Sequence, residues 1–427
     1  MLVAPFRYLK VCLFCGAWAL LVSCTNTDPK RLNAESDCLM CADALQVGLY
    51  HVHADGRQNT RAFFSSIRDA GFGFVHLWEG QAVEPVLEGL RKAGLQAVVH
   101  YPNDDLVFAY RNDPVVLGWY LDEEPSHILS IADSRQALES FHRRRQRIKG
   151  IDPNHPVFAL DGPHTEKVDE IWRDWAVVGD ISAHFNYPVT VRKLRDTSPP
   201  QRVAETVSLA RALNPQSKPV WFVVQAFGGE ERGWRMPTPQ EYRAMVYSAV
   251  MHGASGIIVF AYDSFVMRDD GIVGVRPDPK ALYPHDIDYN NDGKPPHVAS
   301  AAELEASRQL WTAVVSVNRE LNALGPWLLS PTDVELDVRT ETLHGPGHDV
   351  TYMVKNKHGQ RMLIILNSAQ AAVKLWVTVP GSEMSLTHFF DTEVAVTHVE
   401  NTPGFMVELE PYSVTALKLE QSKGGAP

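Results

Sequence analysis

The chain has 427 residues, an ordinary globular composition and a formal net charge of −11. That length exceeds what one small core organises, so a large domain plus an accessory one is expected. The acidic balance and the lack of a polybasic run exclude a nucleic-acid-binding surface, and no P-loop or strand-following GxGxxG is present to cradle a nucleotide.

In chain order, Arg7 and Lys10 form a positive n-region and Val11–Val22 an apolar stretch too short to span a membrane comfortably. It ends in Leu21-Val22-Ser23-Cys24, which resembles the bacterial lipobox; the resemblance implies cleavage before Cys24, lipidation of its thiol and a place in the cell envelope. Thr25 follows where an inner-membrane retention Asp would stand, which points to the outer membrane in a Gram-negative cell. Residues 24–44 read as a tether, polar over Thr25–Asp37, with Cys38-Leu39-Met40-Cys41 as a local disulfide candidate.

From residue 45 to 326, short apolar runs alternate with amphipathic stretches. The expected strands are Val47–His51, Phe72–Leu77, Ala97–Tyr101, Val115–Leu121, Val157–Leu160, Ile181–Phe185, Val220–Val224 and Gly256–Phe260. Helical patterns lie between most of them. Thr60–Ala70 and Ala82–Ala93 each stop at a glycine, Ile131–Ile148 and Val203–Leu213 follow, and Thr238-Pro239-Gln240-Glu241 is a capping box opening a helix to His252. Eight strands with helical crossovers predict a (β/α)8 TIM barrel. A helix over Ala301–Leu324 completes it. Residues 327–427 change texture: Thr351–Lys355, a turn, then Met362–Leu366 is a hairpin signal, and Lys374–Val379, Phe405–Leu409 and Val414–Leu419 extend it into a C-terminal β-sandwich.

A barrel places chemistry where its strands end. Those ends read His51 and His53, Trp78 and Glu79, His100 and Tyr101, Asp122 to Glu124, Asp161, His184 with Asn186 and Tyr187, Gln225, then Tyr262 and Asp263. They are groups that hydrogen-bond hydroxyls or stack on a sugar face. The fourth strand runs straight into three carboxylates and stops at Pro125, an arrangement costly to desolvate unless it serves a site. Strand alternation predicts Asp122 and Glu124 on one face and Glu123 on the other.

Gly118–Pro125, Gly-Trp-Tyr-Leu-Asp-Glu-Glu-Pro, resembles the fourth-strand motif of the retaining clan A glycoside hydrolases, (β/α)8 barrels whose strand ends in Asn-Glu-Pro or Asp-Glu-Pro. The resemblance implies Glu124 as general acid/base and Glu123 at the sugar-contacting position. His184-Phe185-Asn186-Tyr187-Pro188 is similar to the sixth-strand Tyr-Pro, Lys218–Phe227 with Thr238–Phe260 to the seventh and eighth strands, and Pro411–Leu419 to the closing strand of the C-terminal sandwich. One departure is Glu123, where the family has Asn or Asp. The other is Gln225, where the family has its nucleophilic Glu. Asp122-x-Glu124 also resembles the tail of the chitinase-type motif, without the acids expected at Gly118 and Tyr120.

Glycoside hydrolysis needs a second carboxyl besides the proton donor. Glu79 and Asp263 are the first candidates, then Asp161, with Glu230 or Glu231 reaching in from a loop; Asp122 is the electrostatic partner of Glu124. His51, Trp78, Tyr101, Glu123, Asp161, His184, Asn186, Tyr187, Gln225 and Tyr262 are the candidate sugar contacts. No cofactor is expected. Asp288, Asn290 and Asp292 before Gly293 fit half of a calcium loop whose twelfth position is Ala299 instead of Glu. The sequence thus points to an envelope-anchored glycoside hydrolase, with a non-catalytic carbohydrate-binding barrel and an exopolysaccharide assembly factor as alternatives.

Overall fold

The computed structural model describes residues 28–32, 45–53, 61–78, 80–128, 130–163, 166–192, 197–267, 270–276, 299–379, 384–390, 394–398 and 404–421. Eight parallel strands close into a barrel in chain order: β1 (Gln46–Leu49), β2 (Phe74–Leu77), β3 (Gln96–His100), β4 (Val116–Glu123), β5 (Val157–Asp161), β6 (Ser182–Asn186), β7 (Val220–Gln225) and β8 (Gly256–Phe260). Each lies on one of the apolar runs of the sequence. Closure sets Gln46 opposite Gly256 and Leu49 opposite Val259.

Parallel strands covered by helices are buried on both faces. Phe74, Val98, Tyr120, Phe158, Phe185, Trp221 and Ile258 fill the barrel interior, while Leu49, Val75, Val99, Trp119 and Phe222 pack under the helices. Large rings inside a narrow barrel need gaps in the wall. Phe74 stacks on Trp221 with centroids 5.3 Å apart, and a Cβ added at Gly48 would lie 2.1 Å from Phe74, one at Gly256 2.5 Å from Trp221.

The helices Arg61–Asp69, Glu84–Ala93, Ile131–Ile151, Pro199–Leu213, Pro239–Met251 and Ala301–Leu328 follow the expected pattern. Gly94 closes one at φ 70°, and the Thr238–Glu241 capping box forms as read. Three short helices are additional: Asp104–Tyr110, whose first turn is capped by Asn103, Pro125–Ile128 and Glu166–Trp175.

Beyond Leu328 the chain builds two sheets that face each other, antiparallel except where Lys30–Arg31 joins one edge. One orders Lys30–Arg31, Val350–Lys357, Gln360–Asn367, Val414–Gln421 and Met384–His388; the other orders Arg339–His344, Val373–Thr378, Phe405–Leu409 and Ala395–His398. Val354, Leu363, Ile365, Leu375 and Val407 fill the space between them. The first sheet's opposite face, with Met353, Met362, Ile364 and Val414, joins the barrel's core. Within Thr25–Asp37, Lys30 and Arg31 pair in parallel with Thr351 and Tyr352. Cys24, Cys38, Cys41 and the calcium-type residues Asp288, Asn290 and Asp292 lie outside the described residues.

Candidate active site

The strand C-termini form one rim, and β4 determines what that rim can do. Tyr120 pairs with Phe158, but Asp122 pairs with the next residue, Ala159, so Leu121 is bulged out of the ladder. One extra residue moves every following side chain to the other face. The alternation expected from the sequence is therefore corrected. Glu123 points into the barrel, where the Tyr50 hydroxyl donates to its Oε1 and lies 3.5 Å from the Tyr120 hydroxyl. Asp122 turns toward helix Ile131–Ile151, with Arg144 Nη1 at 3.6 Å.

Glu124 leaves the strand at φ 50°, and its backbone N–H donates to the Leu160 carbonyl at 2.8 Å before Pro125 opens a short helix. His51 (φ 60°) and Tyr101 (φ 45°) take the same left-handed conformation at the ends of β1 and β3. For non-glycine residues this costs about 1–3 kcal/mol each and survives where the surroundings impose it, commonly at functional sites. Three such residues share this rim.

The rim's electrostatics follow from burial. Desolvation, reinforced by the neighbouring Glu124, lifts the Glu123 carboxyl to about 8 against the Tyr50 hydrogen bond. Glu123 therefore carries its proton at neutral pH. Burial also raises Glu124, with Arg232 from the loop after β7 opposing, and raises Asp122 to about 6. Across the mouth, Tyr187 is stacked on Phe185 (4.9 Å) and Phe260 (5.5 Å). Burial, then the neighbouring Glu124, holds its phenol protonated.

The β1–β3 side of the rim is aromatic and neutral. Trp78 lies 5.0 Å from both His76 and His100, and His100 stacks between Tyr101 (4.0 Å) and Tyr120 (4.1 Å). His76 stacks on Tyr50 at 3.9 Å. Burial depresses His51 and His100 to about 3, so these rings stay uncharged. The ring nitrogens of His76 and His100 and the Trp78 indole N–H find no hydrogen-bond partner among the described residues. No group of three His, Cys, Asp or Glu among the described residues could hold a metal ion. What remains is a wall of flat apolar faces and neutral polar edges, suited to the C–H faces and hydroxyls of a sugar.

Several residues read from the sequence as site members do other work. In β6 the inward residues are Ala183 and Phe185, so His184 and Asn186 face the helices. His184 accepts from Trp172 Nε1 (3.1 Å) and contacts Ser182 Oγ (2.6 Å); Asn186 donates to Thr206 Oγ1 (3.1 Å). Tyr262 packs on Trp311 under the last helix. Asp161, lifted to about 7 by burial, accepts from the Ser126 hydroxyl and backbone and caps the short helix after β4. Asp263 is fully buried, bridged to Arg276 and bound by the His53 backbone N–H at 2.6 Å. Gln225 is equally buried: its Oε1 accepts from Val189 N (2.9 Å) and its Nε2 donates to Val189 O (3.0 Å), pinning the β6 loop to β7. Glu230 is exposed, and Glu79 and the Glu231 side chain lie outside the described residues. The residues not singled out in the sequence are Tyr50, His76 and Tyr120. His76 had a signal, a histidine inside the otherwise apolar Phe74-Val75-His76-Leu77.

The site can be set against known proteins. No family model and no curated protein matches the sequence. A solved structure described as a glycoside hydrolase matches with a TM-score of 0.55 at 10% identity, covering 92% of this chain and 99% of that one. The likeness shows the fold. An alpha-amylase from Geobacillus thermoleovorans complexed with acarbose matches with a TM-score of 0.48 at 8% identity, over 92% of this chain and 100% of that one.

Proposed function

We propose that the protein is a glycoside hydrolase acting on a polysaccharide or glycoconjugate, with Glu124 as the proton donor. The observation that carries this reading is the pair of half-buried carboxyls, Glu123 and Glu124, both raised by desolvation and held side by side at a mouth lined by Trp78, Tyr101 and Tyr187. Glu124 would protonate the leaving glycosidic oxygen. Protonated Glu123, fixed at one oxygen by Tyr50, would offer its O–H to a sugar hydroxyl. The second, ionised carboxyl of the reaction falls to Glu79, since Glu123 keeps its proton and Asp161 and Asp263 are committed to Ser126 and Arg276. Turnover of aryl glycosides and envelope polysaccharides, compared between wild type and Glu124→Gln, tests the proposal. Loss of turnover with sugar binding retained supports it.

A non-catalytic carbohydrate-binding barrel is the second reading, favoured by one observation: the amide of Gln225 is consumed by backbone groups at the position where the resemblance puts a nucleophile. Sugar binding by both proteins with no turnover in either selects that reading. We further propose that Cys24 is lipidated and holds the protein in the cell envelope. Metabolic labelling with a fatty acid, absent in Cys24→Ala, checks it.

A further inference from the structure

We infer that the substrate is an acidic polysaccharide, and that Arg232 and Trp234 hold a uronic acid unit beside the bond that Glu124 protonates. The inference rests on Glu124 being the proton donor. It comes from how the loop after β7 presents the two side chains. Gly229 and Trp234 close that loop on itself: the Gly229 N–H donates to the Trp234 carbonyl at 2.9 Å, and the Trp234 N–H to the Gly229 carbonyl at 3.1 Å. Between them Glu230–Arg232 makes a single 3₁₀ turn, stopped by Gly233 at φ 90°, a conformation that favours glycine. The closed loop is pinned on two sides. Gly228 exchanges backbone hydrogen bonds with Val273 at 3.0 and 2.8 Å, and the Val191 N–H donates to the Gly233 carbonyl at 2.9 Å. A Cβ on Gly229 would lie 2.8 Å from Ile272, so the fit against the strand Asp270–Ile272 leaves no room for a side chain there. The backbone carrying Arg232 and Trp234 is therefore fixed.

Trp234 stands at 89° to Tyr187, with centroids 6.3 Å apart, and the two rings form a corner at the mouth. The Arg232 guanidinium lies 5.8 Å from the Trp234 ring centroid. It is half-buried, and its side chain makes no hydrogen bond or ion pair among the described residues. Arg144, by contrast, is taken up by Asp122 and the Leu121 carbonyl. The charge of Arg232 acts on Glu124, against the burial that raises its carboxyl. A cation there works against a proton donor, because it favours the ionised form. An anion on the substrate reverses this: paired with Arg232, it cancels the charge and leaves Glu124 its proton. The planar fork of a guanidinium fits the two oxygens of a carboxylate, and the C–H face of a pyranose fits the Trp234 ring. A hexuronic acid unit carries both.

The test compares wild type, Arg232→Gln and Arg232→Lys on oligosaccharides of glucuronate, galacturonate and mannuronate. Each is offered beside its carboxyl-reduced form and beside the sulfate ester of that reduced form. Calorimetry reads binding, and product release reads kcat/KM. Wild type should favour one uronate series over its reduced form by about tenfold or more. That ratio should fall to about one in Arg232→Gln and to an intermediate value in Arg232→Lys, which keeps the charge without the fork. A ratio unchanged in Arg232→Gln overturns the inference, as does binding of the reduced forms alone or of no uronate. An Arg232-dependent preference for the sulfate ester over the uronate overturns the carboxylate assignment. The binding ratio needs no turnover: if nothing is cleaved, the glycosidase reading fails, while an Arg232-dependent preference in binding still reports on this subsite.

Discussion

Replacing Gln225 by Glu restores the residue type that the resemblance expects at the end of β7, and the structure predicts that it restores nothing. Gln225 is fully buried, and its Nε2 faces three carbonyls, those of Val189 (3.0 Å), Arg235 (3.3 Å) and Phe227 (3.4 Å). A carboxylate there meets three acceptors and has no donor to give them. The side chain would stay protonated, its folded-state pKa raised above 7. An unfolded Glu releases its proton near about 4.3, so between that value and the folded pKa the folded state binds more protons and stability falls as pH rises. At about 1.4 kcal/mol per pH unit, the penalty reaches roughly 4 kcal/mol by pH 7 and nearly vanishes at pH 4. Urea denaturation of Gln225→Glu and wild type at pH 4.5 and pH 7 measures it. A variant as stable as wild type at pH 7, or one that gains hydrolytic activity, refutes the claim that this amide is a structural tie.

Further outcomes follow from the same geometry. Asp263→Asn removes the carboxylate bridged to Arg276, which is only 3% exposed, and should cost about 3–5 kcal/mol in denaturant unfolding; wild-type stability with lost turnover would make Asp263 catalytic instead. Glu123 keeps its proton to about 8 when folded and to about 4.3 when unfolded, so it lowers stability progressively across pH 5 to 8. Glu123→Gln removes that titration, and its melting temperature should fall less than wild type's over this range; parallel slopes contradict the assignment. Gly48→Ala drives a methyl into the Phe74 ring and should destabilise by about 1–3 kcal/mol or more in the same unfolding assay.

The barrel was legible because each strand is a compact apolar run bounded by helix stops such as Gly71 and Gly94, and the hairpin around Asn356–Gly359 announced the sandwich. The faces of the strands were not legible. A parallel strand is apolar on both sides, so Ile181-Ser182-Ala183-His184-Phe185-Asn186 does not declare that its polar residues face the helices. The bulge at Leu121 left no mark in the composition of β4, yet it exchanges the positions of Asp122 and Glu123. Asp161 and Asp263 were read correctly as strand-end acids. Their partners, Ser126 and Arg276, come from separate segments, and only the folded chain brings them together.

The claim that Glu124 is the proton donor is tested most directly by the dependence of Glu124→Gln on the leaving group. The measurement compares kcat/KM on a dinitrophenyl glycoside, which departs without protonation, with that on the methyl glycoside of the same sugar, which does not. If Glu124 donates the proton, the methyl glycoside loses about 10²–10⁴-fold and the dinitrophenyl one changes little. Equal losses on both substrates, or none on either, would contradict it.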